Sequence, residues 1–181
     1  MREPLTAENL QVFMKTLASE ARTPSRIYLV GGASAVILGW RSSTIDVDLK
    51  IVPESDEILR ALPRLKEQLH INVELASPDD FIPALPGWQE RSRFIQQEGR
   101  IAFHHYDFYA QTLAKIQRGH EIDISDAEHF VESGLVEPAR LLELFAAIED
   151  QIFRYPELNR KTFKDDLDRF LRPYLNTTAN K

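Results

Sequence analysis

Residues 28–51 read YLVGGASAVILGWRSSTIDVDLKI. An apolar run ends in two glycines, Gly31 and Gly32. An apolar segment of helix length follows, and a polar turn leads into a stretch with Asp46 and Asp48 two residues apart. Strand side chains alternate between faces, so Thr44, Asp46, Asp48 and Lys50 share one face, and Ile45, Val47, Leu49 and Ile51 share the other. The apolar set predicts a face turned into a core. The polar set then holds two carboxylates side by side on a rigid element, and neighbouring anions call for a proton or an oxygen-seeking divalent cation. Strands disfavour aspartate, so this alternation points to chemistry more than to packing.

Outward from this stretch the chain alternates helical and strand signals. Leu10, Phe13, Leu17 and Ala21 recur at helical spacing between a capping Thr6 and a terminating Pro24, predicting a first helix over the sheet. Ile27 to Val30 predicts a buried strand running into a tight turn at the glycines, and Ala33 to Trp40 a short internal helix. Beyond Pro53, Ser55 is placed to cap a helix carrying Ile58, Leu59, Leu62, Leu65 and Leu69, with a kink or a break expected at Pro63. Ile71, Val73 and Leu75 alternate with Asn72 and Glu74, which makes Glu74 a third candidate carboxylate. Residues 76–100 hold Pro78, Pro83, Pro86, Gly87 and Gly99 and predict mostly loop with short helical turns. Residues 101–108 predict a strand and 109–118 a helix. Ser125 with Glu128 has capping-box spacing for the next helix, and Gly134 is placed to end it. Pro138 fits the first turn of a helix burying Leu141, Leu142, Phe145, Ile148 and Ile152, and a last helix carries Phe163, Leu167 and Phe170, before a frayed polar end from Asn176 to Lys181. The expected class is α+β, with residues 1–108 as the sheet-bearing core and 109–181 as a helical C-terminal region packed on it.

Composition narrows the function. The 181 residues carry a formal charge of −6, which disfavours bulk attraction to a nucleic-acid backbone and leaves any such binding to a local basic patch. A small anionic ligand arriving with its own cation is an easier partner. The absence of cysteine excludes disulfides, thiolate metal sites and cysteine nucleophiles and fits a reducing compartment. No apolar run reaches membrane-spanning length, and Glu3 and Pro4 stand where a leader would be basic, so no membrane partner and a cytoplasmic location are expected.

A strand, two glycines and a helix bring backbone N–H groups to the positive end of a helix dipole, where a phosphate fits. With the aspartate strand one helix and one turn later, Gly31, Gly32 and Ser34 are candidates to seat a phosphate, and Asp46, Asp48 and Glu74 to hold the cation bridging it. Lys115 and Arg118, three residues apart on one helix, are candidates to reach the same phosphates. Asp123 and Asp126 suit salt bridges or a helix start equally. His104 and His105 point to opposite strand faces and are read as structural, as are Trp88 and Tyr109.

The pattern of two glycines, a short helix and T-x-D-x-D, with a carboxylate on a later strand, resembles the DNA polymerase β-like nucleotidyltransferase superfamily. It looks most like the bacterial stand-alone branch found among toxin–antitoxin and abortive-infection systems. An arginine precedes T-x-D-x-D there, as Arg41 does in RSSTIDVD. K-x-x-R-G with spaced aspartates is matched by Lys115, Arg118, Asp123 and Asp126 in AKIQRGHEIDISD. The likeness covers roughly residues 27–130. It implies a small mixed sheet flanked by helices, Mg2+ or Mn2+, and a nucleoside triphosphate whose nucleotide passes to a hydroxyl as pyrophosphate leaves. The acceptor, whether RNA, protein or small molecule, is not implied. Two departures stand out: many members have Gly-Ser where this chain has Gly31-Gly32, and their third carboxylate is usually Asp where this chain has Glu74. They leave open an alternative, a non-catalytic form of the fold that binds a partner protein encoded nearby, as an antitoxin or scaffold would.

Overall fold

The structure is a computed structural model that describes residues 4–176. The chain is α+β and divides into two compact units, Met1–Ser77 with Ser92–Tyr106, and Pro78–Arg91 with Asp107–Lys181.

The first unit is built on a five-stranded mixed sheet. In chain order its strands are β1 (Ser25–Val30), β2 (Asp46–Val52), β3 (Asn72–Glu74), β4 (Phe94–Glu98) and β5 (Ile101–His105), and across the sheet they run β3-β2-β1-β5-β4. β1 pairs antiparallel with β2 and parallel with β5; β2 pairs parallel with β3, and β4 antiparallel with β5. One face is apolar: Ile27 and Leu29, Val47, Leu49 and Ile51, Val73, and Ile101 and Phe103 pack with helices α1 (Ala7–Ser19), α2 (Gly31–Leu38) and α3 (Asp56–Gln68) in one core. α1 supplies Leu10, Phe13, Met14 and Leu17 to it. Thr6 caps that helix by accepting from the Asn9 N–H.

Several expectations change here. Ile45 is 66% exposed and Leu75 57% exposed, because the strands in which they were to alternate begin at Asp46 and end at Glu74. Gly31 and Gly32 form the first turn of α2, with no separate turn before it. α3 runs unbroken through Pro63, which lies on its exposed side where water reaches the interrupted ladder. Ser55 stands at the N-cap of α3 without making the cap bond, and its buried hydroxyl has no partner. Within the expected loop, 94–98 forms β4, an edge strand whose sequence FIQQE lacks the alternation of a half-buried strand.

The second unit is helical. It comprises α4 (Trp88–Arg91), α5 (Phe108–Arg118), α6 (Glu121–Glu132), α7 (Pro138–Ile148) and α8 (Arg160–Asn176), with 3-10 turns at Pro78–Asp80 and Glu149–Arg154. Pro138 occupies the first turn of α7 as expected. Gly134, at φ +75°, follows the C-cap of α6. α6 begins at Glu121, four residues before Ser125, so the Ser125–Glu128 pair lies inside the helix; an acidic first turn starts it instead. Phe108 meets Phe130 and Phe145 meets Phe163, with ring centroids 5.1 and 5.0 Å apart. Arg91 donates to Asp107, the N-cap of α5, through Nε and Nη2 and to the Pro86 carbonyl through Nη1, tying residues 86–91 to α5. Asn176 closes α8; the rest of the tail expected to fray, 177–181, lies outside the described residues. Among the described residues no helix is long and apolar enough to cross a membrane.

Candidate functional site

The face of the sheet opposite the helical core carries the aspartates. In β2 the buried positions are Val47, Leu49 and Ile51, so Asp46, Asp48 and Lys50 point the other way. The parallel β2–β3 register puts Asp46 opposite Asn72 and Asp48 opposite Glu74. Paired strands lie about 4.8 Å apart and residues two apart on one strand about 6.8 Å, so Glu74 stands beside Asp48, with Asp46 next along β2, and the three make one acidic row. The Asn72 amide nitrogen donates to Asp46 Oδ1 at 2.7 Å and to Glu74 Oε1 at 2.9 Å, bridging two anions. Asn72 is 7% exposed, which makes this bridge a built feature of the row. The parity of Asn72 with Glu74 was visible in the sequence, but only the pairing register assigns it a partner.

On the other side of β2, Asp48 is in register with Val30, the N-cap of α2. Asp48 Oδ2 lies 3.4 Å from where a Cβ on Gly31 would be, and Gly31 has φ +58°. The left-handed backbone therefore calls for glycine at this position, with the Asp48 carboxylate at contact distance beside it. A carboxylate at the first turn of a helix is also favoured by the helix dipole. At Gly32 a Cβ would lie 2.2 Å from Thr44 Oγ1, 2.9 Å from Thr44 Cβ and 3.3 Å from Arg41 Nη1. The space that a side chain at position 32 would take is filled by Thr44, with the Arg41 guanidinium alongside. The structure thus brings Gly31, Gly32, Arg41, Asp46, Asp48 and Glu74 together in the first unit.

Ser34 lies one turn into α2 and is fully buried. Its hydroxyl donates to the Leu29 carbonyl at 3.0 Å and so accepts from His105 Nδ1–H at 2.9 Å. Burial first, then the Arg93 and His104 charges, lower the His105 pKa to about 4, so the imidazole is neutral at pH 7. Ser34 is committed to this internal chain of hydrogen bonds, which sequence periodicity could not reveal.

In the second unit the Lys115 ammonium is 6% exposed and held by Asp126 Oδ2 at 2.7 Å and Asp123 Oδ1 at 3.2 Å, and Arg118 also donates to Asp123. Burial alone would raise the Asp123 pKa; the bonds and charges of Arg118 and Lys115 outweigh it and hold the carboxyl below its ordinary value. The two cations expected to reach a phosphate thus join α5 to α6. Arg118, 46% exposed, keeps part of its guanidinium at the surface. The Tyr109 hydroxyl accepts from the Glu137 N–H, and the Arg91 guanidinium lies 5.9 Å from the Tyr109 ring centre.

Among the described residues no three carboxylate or imidazole groups converge into a ready metal cage. The donor chemistry of the row fits a hard cation nonetheless. Asp46 and Glu74 already share one amide donor, and Mg2+ is ordinarily held by one or two carboxylates together with the phosphate oxygens of its substrate. Comparison with family models, curated proteins and solved structures finds no match to this chain.

Proposed function

We propose that the chain is a metal-dependent nucleotidyltransferase of the polymerase β-like type. The observation that carries this reading is the in-register carboxylate row beside the first turn of α2, with Asp48 facing Gly31. Asp46, Asp48 and Glu74 would hold Mg2+ or Mn2+, which when bound supplies positive charge against the phosphates and the developing alkoxide. The backbone N–H groups at Gly31 and Gly32 and the Arg41 guanidinium orient the triphosphate. The acceptor hydroxyl oxygen forms a bond to the α-phosphorus, the bond from that phosphorus to the α,β-bridging oxygen breaks, and pyrophosphate leaves. Glu74, exposed at the end of β3, takes the proton of the attacking hydroxyl.

Incubation with nucleoside triphosphates labelled at the α- or γ-phosphate, in the presence of total RNA and total protein, tests this. Label from the α-position, and not from the γ-position, should appear in an acceptor. Transfer of γ-label would replace the reading with phosphoryl transfer. The commitment of Ser34 to His105 favours a second reading, a nucleotide-binding module without turnover; thermal stabilisation by nucleotide and Mg2+ with no transfer of either label would select it.

A further inference from the structure

A neutral side chain stands inside the acidic row. Asn72 lies directly opposite Asp46 across the β2–β3 pair and two residues before Glu74 on β3, on the face that both carboxylates share. It is buried, and its amide nitrogen donates to Asp46 Oδ1 at 2.7 Å and to Glu74 Oε1 at 2.9 Å. An asparagine amide carries two N–H groups, so this nitrogen is fully used, one hydrogen to each carboxylate. Both acceptors are acids, which decides the end of the amide that faces them, because its carbonyl oxygen would repel both. Hydrogen bonds to ionised acceptors are the strong kind, and they offset the repulsion of two anions held against one nitrogen. Glu74 takes part because of its length. Residues two apart on a strand are about 6.8 Å apart, and the Glu74 carboxylate reaches back along β3 to close that gap. An aspartate at position 74 would end one carbon–carbon bond, about 1.5 Å, nearer the backbone, and its carboxylate would fall short of the amide. Asn72 and Glu74 are therefore one unit along β3, with Asp46 tied in across the sheet.

We infer that Asn72 is a positioning residue of the cation site, which holds one oxygen of Asp46 and one of Glu74 and so makes each a one-oxygen ligand. Oδ1 and Oε1 are given to the amide, and Oδ2 and Oε2 are left to the cation. Mg2+ demands a compact octahedral shell and takes carboxylates one oxygen at a time, whereas Ca2+ is larger, accepts more oxygens and commonly takes both oxygens of one carboxylate. The bridge thus tilts the row toward the smaller cations and against Ca2+. Hydrogen-bond partners that orient metal ligands are worth about 10–100-fold in metal affinity, so the effect of losing the amide is large enough to read. The inference rests on the proposed function for the presence of a cation, but metal binding is measured apart from transfer.

The test is electron paramagnetic resonance of Mn2+ titrated into the full chain without nucleotide, followed by competition with Mg2+ and with Ca2+. Asn72→Leu, close to asparagine in volume, should weaken Mn2+ and Mg2+ about tenfold and Ca2+ much less, so that the preference for the smaller cations shrinks by about fivefold or more. Asn72→Ser, smaller and too short to bridge both carboxylates, should shift the preference the same way, and it is the variant to read if Asn72→Leu does not fold. Over Glu74→Asp the shift should be smaller, because only the Asp46 half of the bridge is left to lose. An asparagine that merely packs the strand pair would weaken all three cations by one common factor, and that result overturns the inference. The full shift over Glu74→Asp, or no Mn2+ binding by wild type at millimolar metal, overturns it as well. Transfer of α-label observed beside any of these results leaves the proposed function standing. The predicted shift without α-label transfer keeps Asn72 as a positioning residue and refutes the transfer reaction.

Discussion

Replacing Gly32 by alanine tests the packing at the first turn of α2. The new Cβ would stand 2.2 Å from Thr44 Oγ1 and 2.9 Å from Thr44 Cβ, at least about 1 Å inside a carbon contact of roughly 3.5–4 Å for the first of these. Thr44 has little freedom to retreat. Its backbone is pinned by two hydrogen bonds to Leu5, at 2.7 and 3.0 Å, and its hydroxyl donates to the Asp46 carbonyl at 3.1 Å. Overpacking of this kind costs about 1–3 kcal/mol. Gly32 lies outside the left-handed region, so alanine adds no backbone strain and returns about 0.5–1 kcal/mol of helix propensity. The net expectation is a loss of about 1–2 kcal/mol. Thr44→Ala removes the 2.2 Å contact but leaves the 2.9 Å one, while Thr44→Gly removes both, so Gly32→Ala should be tolerated best over Thr44→Gly. Urea unfolding followed by Trp40 fluorescence in a Trp88→Phe background reads the first unit alone. Equal stability of Gly32→Ala and wild type would refute the argument, as would the same loss with Thr44→Gly in place.

Further predictions follow from the buried polar groups. His105 has its pKa lowered to about 4 in the fold against an ordinary value near 6.5, so its contribution to stability is full above pH 6.5 and falls away toward pH 4. At pH 5 the loss should be about 2 kcal/mol, and it should vanish in His105→Gln when unfolding midpoints are compared at pH 7 and 5. Arg91→Ala strands the Asp107 carboxylate, 1% exposed and already pushed up by burial, and should destabilise the second unit by about 3–5 kcal/mol as read by Trp88. Lys115→Met leaves Asp123 and Asp126 without their shared cation and should cost about 3 kcal/mol. Adding Asp126→Leu should recover part of that loss; if this double variant keeps wild-type nucleotide affinity in calorimetry, Lys115 is a clamp between α5 and α6 and not a phosphate ligand.

The period-two pattern in 46–51 was enough to put Asp46 and Asp48 on one face, because half-buried strands write their orientation into their sequence. It did not set where β2 and β3 stop, so Ile45 and Leu75 were assigned to a core that neither reaches. β4 escaped because an edge strand of mostly polar residues takes its identity from its partner β5, not from its own alternation. Ser125 and Glu128 have the spacing of a capping box, yet helix starts also depend on the dipole, and Glu121 with Asp123 begins α6 one turn earlier. The parts of the site that stayed hidden are tertiary contacts: Thr44 against Gly32, Ser34 turned to His105, Asn72 between Asp46 and Glu74, and Lys115 between two aspartates. Spacing marked Asn72 as sharing a face with Glu74 and Asp123 and Asp126 as salt-bridge candidates, but in each case the partner across the fold is set by the tertiary register.

The central claim, that the Asp46, Asp48 and Glu74 row performs metal-dependent nucleotidyl transfer, is tested most directly by α-label transfer over a titration of Mg2+ or Mn2+. Wild type is compared with Glu74→Gln and with the Asp46→Asn, Asp48→Asn double variant, each first shown to keep its unfolding midpoint. The account predicts saturable metal dependence in wild type and a loss of about a hundredfold or more in both variants. Labelling by the variants equal to wild type, or transfer in wild type that is indifferent to metal, would contradict it.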